Sequence, residues 1–168
     1  MAKILIQACC GPCAIAAFEQ HGDGNDIWLL FNGDNFDSEK EYNKRLEALE
    51  EVNKRYSKNP IFIGPYAPKV FEGEMACVEC IQHRLDETAR VAKEQGFDMF
   101  GSSLSVSPHK RTELINHVGN HVGREMDIPF LGMNLKKKGG FQFTVNKTSE
   151  WKIYRQDYCG CARSKKNK

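Results

Sequence analysis

Sulfur is where the chemistry of this chain starts. Seven cysteines fall in three tight groups: Cys9-Cys10-x-x-Cys13, Cys77-x-x-Cys80 and Cys159-x-Cys161. Thiols that only fill a core would be scattered. Their number is odd, and seven in 168 residues is well below the roughly 8–10% of secreted disulfide scaffolds. A reducing compartment keeps structural disulfides rare, so metal binding or redox work is the expected use. Cys9, Cys10 and Cys13 follow an aliphatic run, Lys3 to Ala8, that suits a buried strand, and Gly11-Pro12 opens a helix after it. Cys77 and Cys80 stand where a second helix begins. Helix N-termini carry partial positive charge and free N–H groups, which favour thiolate over thiol.

Cys-x-x-Cys spacing brings two sulfurs within reach of one metal, and thiolates suit zinc or iron–sulfur clusters. A closed zinc site takes four thiolates, which leaves one of Cys9, Cys10, Cys13, Cys77 and Cys80 over. A cluster held by three of them would keep one iron open to substrate, with two left for a second metal. Spacing alone does not divide the five. Cys159-Gly160-Cys161 differs in kind. A disulfide across one residue makes a small, reducible ring that Gly160 is free to close, so the pair can store two electrons; the alternative is two more metal ligands.

The elements that must position these groups are legible in outline. Asp26 to Phe31 reads as a second strand. Ser38 with Glu41 forms a capping box, and Tyr42, Leu46, Leu49, Val52 and Tyr56 recur at helical steps. Ile61 to Ile63 is a short strand, Val78 to Gln95 a helix stopped by Gly96, and Phe97 to Ser102 a fourth strand. Pro108 is expected to open a helix through Val118, Ile128 to Leu131 to form a fifth strand, and Ser149 to Gln156 a last helix. Strands alternating with helices predict an α/β fold with a parallel sheet covered on both faces. Ligands gather at the carboxyl ends of such strands, where Cys9 and Cys10 fall.

Length predicts a single α/β domain over residues 1–168, with a basic C-terminal tail at about 162–168. The net charge of +2 hides an asymmetry: residues 136–168 carry +8 and the rest carries −6. Either the tail is a solvated, frayed end, or it meets a phosphate backbone. The longest apolar runs fall far short of the ~20 residues that a bilayer needs, and the first residues lack a signal-peptide pattern. A cytoplasmic protein without a membrane span is expected.

Four blocks carry a resemblance. Cys9-Cys10-Gly11-Pro12-Cys13, Cys77 to Leu85, Ser103 to Lys110 and Arg155 to Cys161 together resemble the cobalamin-independent epoxyqueuosine reductases, the QueH family. They span nearly the whole chain in the family's order, and Glu41-Tyr42 with Arg45 matches a further motif. Two positions depart from the pattern. Asn32-Gly33-Asp34-Asn35 stands where an Asn-Pro-Asn turn is expected, and Cys13 stands where some relatives carry Asp, which suggests a second-metal ligand.

The resemblance implies a Rossmann-like three-layer parallel sheet of the adenine nucleotide alpha-hydrolase type. It implies an oxidoreductase that reduces epoxyqueuosine to queuosine in a tRNA anticodon, the last step of queuosine synthesis. A [4Fe-4S] cluster and an adjacent iron or other metal are then expected on Cys9, Cys10, Cys13, Cys77 and Cys80. The Cys159/Cys161 dithiol would relay electrons from a cellular donor. Lys110 is a candidate phosphate or substrate contact, and Arg84 would either screen thiolate charge or bind the RNA backbone. Tyr158 would donate a proton or simply pack. Two competing readings are an ATP-dependent tRNA-modifying enzyme, disfavoured because the turn after the first strand lacks a phosphate cradle, and a zinc-stabilised nucleic-acid-binding module without catalysis.

Overall fold

In the computed structural model, which describes residues 1–166, four strands form one parallel sheet in the order β3-β2-β1-β4. β1 (Ala2–Ala8) lies between β2 (Asn25–Phe31) and β4 (Met99–Ser102), and β3 (Phe62–Ile63) pairs with the end of β2. Ile4, Leu5 and Ile6 of β1 are all buried, as expected of a parallel strand covered on both faces. Parallel strands need crossovers. α1 (Gly11–His21) and α2 (Glu39–Tyr56) link strands stepping in one direction, so right-handed crossovers set both on one face, where they pack together. α3 (Ala76–Glu94) returns from β3 to β4 over the opposite face and packs on α4 (Thr112–Met126); α5 (Gly140–Glu150) joins α1. The result is the expected three-layer, Rossmann-like α/β arrangement.

Local chemistry accounts for the element ends. Ser38 caps α2 by accepting the Glu41 N–H at 3.2 Å. The stripe Ile81, Leu85, Ala89 and Ala92 is the buried face of α3, and Gly96 follows its end in the left-handed region, with φ +75°. Gly11 is required by packing: a Cβ there would lie 2.9 Å from the Ala48 carbonyl oxygen on α2.

Three expectations are corrected. α4 begins at Thr112 and not at Pro108, because Ser107 to Lys110 closes a turn through the Lys110 N–H and the Ser107 carbonyl at 3.2 Å. Ile128 to Leu131 contributes only an isolated bridge between Phe130 and Phe100, since Pro129 has no N–H to extend a ladder. The helix expected at 149–156 does not form; α5, which the sequence pattern does not predict, ends at Glu150, where Trp151 and Lys152 bond back to Lys147 and Ser149 and Lys152 turns to φ 54°. In the basic tail, Ala162–Lys166 forms a short helix, α6, with Arg163 donating to the Gly73 carbonyl and Lys165 paired with Asp37. Residues 167 and 168 of that tail lie outside the described residues. Among the described residues, no helix is long and apolar enough to cross a membrane.

Candidate active site

β1 delivers Cys9 and Cys10 at its carboxyl end, and the first turn of α1 adds Cys13. The Cys10 and Cys13 sulfurs lie 2.8 Å apart, with Cys9 Sγ at 3.9 Å from Cys10 and 4.0 Å from Cys13. All three are buried. Hydrogen bonding with Cys10 and then with Cys13 holds the Cys9 thiol well below its ordinary pKa, whereas burial pushes Cys10 up to about 12. The Cys13 thiol is raised by its hydrogen bonds with Cys10 and Cys9. Among the described residues, these three alone form a group of metal-ligand side chains whose donor atoms all lie within 4.8 Å of one another.

Two cavities open on the same edge of the sheet. The larger, about 590 Å³, has Cys9 and Cys13 in its wall with Ser107 to Lys110 from the loop after β4 and Tyr158 and Cys159 from the C-terminal segment. The smaller, about 280 Å³, is lined by Cys77 and Cys80 from the first turns of α3, by Arg84, and by Cys159 and Cys161. Lys110, Cys159 and Ser164 line both. Cys77 is exposed and Cys80 half-buried, so these two stand across the smaller cavity and outside the tight sulfur trio.

Arg84 bridges the two sets. Its side chain is only 2% exposed, and its Nη2 approaches Cys159 Sγ at 3.8 Å. Burial disfavours its charge, but Cys80, Cys159 and Cys9 more than restore it and raise its pKa. That burial suits it to screening thiolates and not to a phosphate in solvent. Arg84 Nε and Nη1, and both polar side-chain atoms of Asn35, are buried without a hydrogen-bond partner among the described residues. A thiolate-lined cavity with a buried guanidinium beside it fits an anionic metal–sulfur group, because thiolates are soft ligands and the cation offsets their charge. Burial likewise opposes the charge of Lys110, and Cys159 outweighs it. For Cys159 itself, burial raises the thiol but Arg84 and Lys110 more than offset this, so its pKa is lowered.

The Cys159-Gly160-Cys161 segment carries no disulfide, and both thiols are half-buried. Cys161 Sγ accepts the Ser164 N–H at 3.4 Å. The Tyr158 hydroxyl donates to Asp37 Oδ1 at 2.7 Å, and burial together with this bond raises its pKa, which makes it a poorer acid than a free tyrosine. Sequence reasoning leaves Asp37 and Tyr154 without a role, and it singles out Arg45 and Glu41 only through a matched motif and a helix cap. Arg45 donates Nε to Glu41 at 2.7 Å and its two Nη groups to the carbonyls of Tyr158 and Cys159 at 2.8 and 2.9 Å. Beside that motif, the i, i+4 spacing of Glu41 and Arg45 on a helical face is the signal that pairs them. His83 pairs with Asp34, outside the sulfur trio.

Comparison with known proteins finds relatives over nearly the whole chain. A family model described as "Epoxyqueuosine reductase QueH" matches residues 4–167. A Staphylococcus aureus protein named epoxyqueuosine reductase QueH is 33% identical over 95% of this chain and 74% of its own length. The Streptococcus pyogenes protein of that name is 34% identical, over 98% and 71% respectively. That of Thermotoga maritima is 30% identical, over 98% of this chain and 91% of its own.

Proposed function

Because this chain belongs to the epoxyqueuosine reductase QueH family of oxidoreductases, we propose that it reduces epoxyqueuosine to queuosine in the anticodon of a tRNA. The observation that supports this most directly is the meeting of three sulfur groups at one sheet edge, with Cys159 lining both cavities between the trio and the Cys77/Cys80 pair. Cys9, Cys10, Cys13, Cys77 and Cys80 are the residues proposed to hold a [4Fe-4S] cluster and an adjacent iron or other metal. When bound, such a group supplies an oxophilic Lewis acid for the epoxide oxygen and a path for electrons.

The protein's own residues account for the rest of the balance. Deoxygenating an epoxide breaks both of its C–O bonds, forms a C=C bond, consumes two electrons and two protons and releases water. The Cys159/Cys161 couple can supply both electrons as it closes to a disulfide, which a cellular thiol reductant must then reopen; a sulfur that is still protonated releases its proton in the step, and solvent water supplies the remainder of the two. Arg84 and Lys110 overcome the burial of Cys159 and favour its thiolate, the nucleophilic form. Lys110, held protonated in the wall of the larger cavity, can offer N–H groups to the departing oxygen or to a phosphate. The basic C-terminal segment, Lys136 to Lys168, is the proposed tRNA-facing surface.

Anaerobic purification followed by metal analysis tests this reading. A brown protein with several irons per chain is expected; a colourless protein with stoichiometric zinc would instead identify a zinc-stabilised module. Cys77→Ser or Cys80→Ser should bleach the protein. Cys159→Ser should keep the colour and abolish turnover, and turnover retained there would remove the dithiol from the mechanism.

A further inference from the structure

The Cys159-Gly160-Cys161 segment has no regular secondary structure of its own, yet its backbone is tied at every step. Three successive carbonyls, those of Tyr158, Cys159 and Gly160, accept hydrogen bonds from residues at the start of α2 and just before it. Arg45 Nη2 and Nη1 donate to the first two at 2.8 and 2.9 Å, and the Asp37 N–H donates to the third at 2.8 Å. Gly160 sits at φ +126°, and a Cβ there would lie 3.2 Å from Arg45 Nη1. The loop is thus seated on the guanidinium as closely as a residue without a side chain allows.

The grip is itself braced. Arg45 has no solvent exposure, its Nε is donated to Glu41 at 2.7 Å, and Glu41 accepts the Tyr154 hydroxyl at 2.9 Å on both oxygens. The guanidinium carbon stands 5.3 Å from the Phe36 ring centre and 5.2 Å from that of Tyr158. Burying a guanidinium is costly, and a hydrophobic side chain of similar volume would fill the space at less cost. What an apolar residue cannot do is hold two adjacent carbonyls in one planar fork.

We propose that Arg45 is the positioning residue of the redox couple: its fork, braced by Glu41 and Tyr154, fixes the Tyr158–Gly160 backbone and so holds Cys159 between the two cavities. This rests on the reading that the dithiol supplies the electrons. Arg45 forms part of the wall of the larger cavity, but its three hydrogen-bonding nitrogens are all engaged by Glu41 and by the Tyr158 and Cys159 carbonyls, so it acts through Cys159.

Arg45→Lys keeps the charge and loses the fork. In the isolated, reduced, metal-loaded protein, iodoacetamide should alkylate Cys159 about tenfold faster than in the unaltered chain, because access governs thiol reactivity, with no change at Cys9, Cys10 or Cys13. kcat should fall by about two orders of magnitude, as for a misplacement on the order of 1 Å, with KM within about twofold and iron per chain unchanged. If Arg45→Lys fails to fold, Gly160→Ala displaces the loop from the other side and should give the same alkylation and kcat signature. Unaltered Cys159 alkylation in a folded variant overturns the proposal. So does loss of iron in Arg45→Lys, which would make Arg45 part of the metal site. The alkylation readout is independent of turnover, so failure of the dithiol reading, seen in Cys159→Ser, remains distinguishable from failure of this one.

Discussion

Replacing Glu41 with alanine should destabilise this protein far more than loss of a surface ion pair would. The Glu41 and Arg45 side chains are 9% and 1% exposed and meet at 2.7 Å, and Glu41 also takes the Tyr154 hydroxyl on both oxygens. Removing one partner of a buried pair costs about 3–5 kcal/mol, because the other charge stays desolvated without its counter-ion. At roughly 2–4 °C per kcal/mol for a chain of this size, the thermal midpoint should drop by about 6–20 °C. Urea unfolding of the reduced protein, with every variant in the same metal state, gives the measurement: the midpoint should fall while the slope stays constant. The double variant Glu41→Leu with Arg45→Met should recover most of the loss, since two apolar side chains leave no orphaned charge. Turnover should not recover with it, because methionine cannot hold the Tyr158 and Cys159 carbonyls. A Glu41→Ala cost below about 1 kcal/mol, the range of exposed pairs, would refute the argument. So would a double variant no more stable than the single one.

Two further outcomes follow from charge. Arg84 and Lys110 outweigh burial and lower the Cys159 thiol, so its thiolate persists to lower pH than that of an ordinary cysteine. Lys110→Gln should therefore shift the midpoint of the Cys159 alkylation rate to higher pH, and an unmoved midpoint would exclude Lys110 as a cause. Deleting residues 163–168 removes Arg163, Lys165, Lys166 and Lys168; tRNA affinity should weaken and its log–log salt slope flatten by up to about 0.7–0.9 for each phosphate that is no longer neutralised. Unchanged affinity and slope would return the tail to a solvated end.

Much of the frame is legible in the sequence because it depends on local pattern. Buried aliphatics at 4–6, the Ser38 cap and the stripe from Ile81 to Ala92 each encode an element within a few residues, and all are found, although the Glu41 carboxylate turns to Arg45 and Tyr154 instead of closing a capping box. Where pattern misleads, a nearby backbone bond overrides propensity. Pro108 is a reasonable first helical residue, but Ser107 and Lys110 close a turn around it, and α4 waits until Thr112. The helix Gly140–Glu150 escapes a reading by pattern because its buried face is Gly140, Thr144 and Thr148, small and polar residues that leave no apolar periodicity.

The candidate site is legible as a set of residue types and not as an arrangement. Cys9, Cys10 and Cys13 are neighbours in sequence, and a strand-to-helix turn is enough to bring them together. That Cys77 and Cys80 stand across a second cavity depends on α3 crossing the opposite face of the sheet, which is a property of strand order and not of spacing. The hydrogen bond that fixes Cys159 is further removed still: Arg45 and Cys159 are separated by 114 positions, and Arg45 meets a carbonyl that any residue type would offer. A backbone acceptor leaves no mark on the side chains, so only the donor is visible, as an arginine four residues after Glu41 on an otherwise ordinary amphipathic helix. Its full burial gives it meaning, because a guanidinium withdrawn from water must have something to hold.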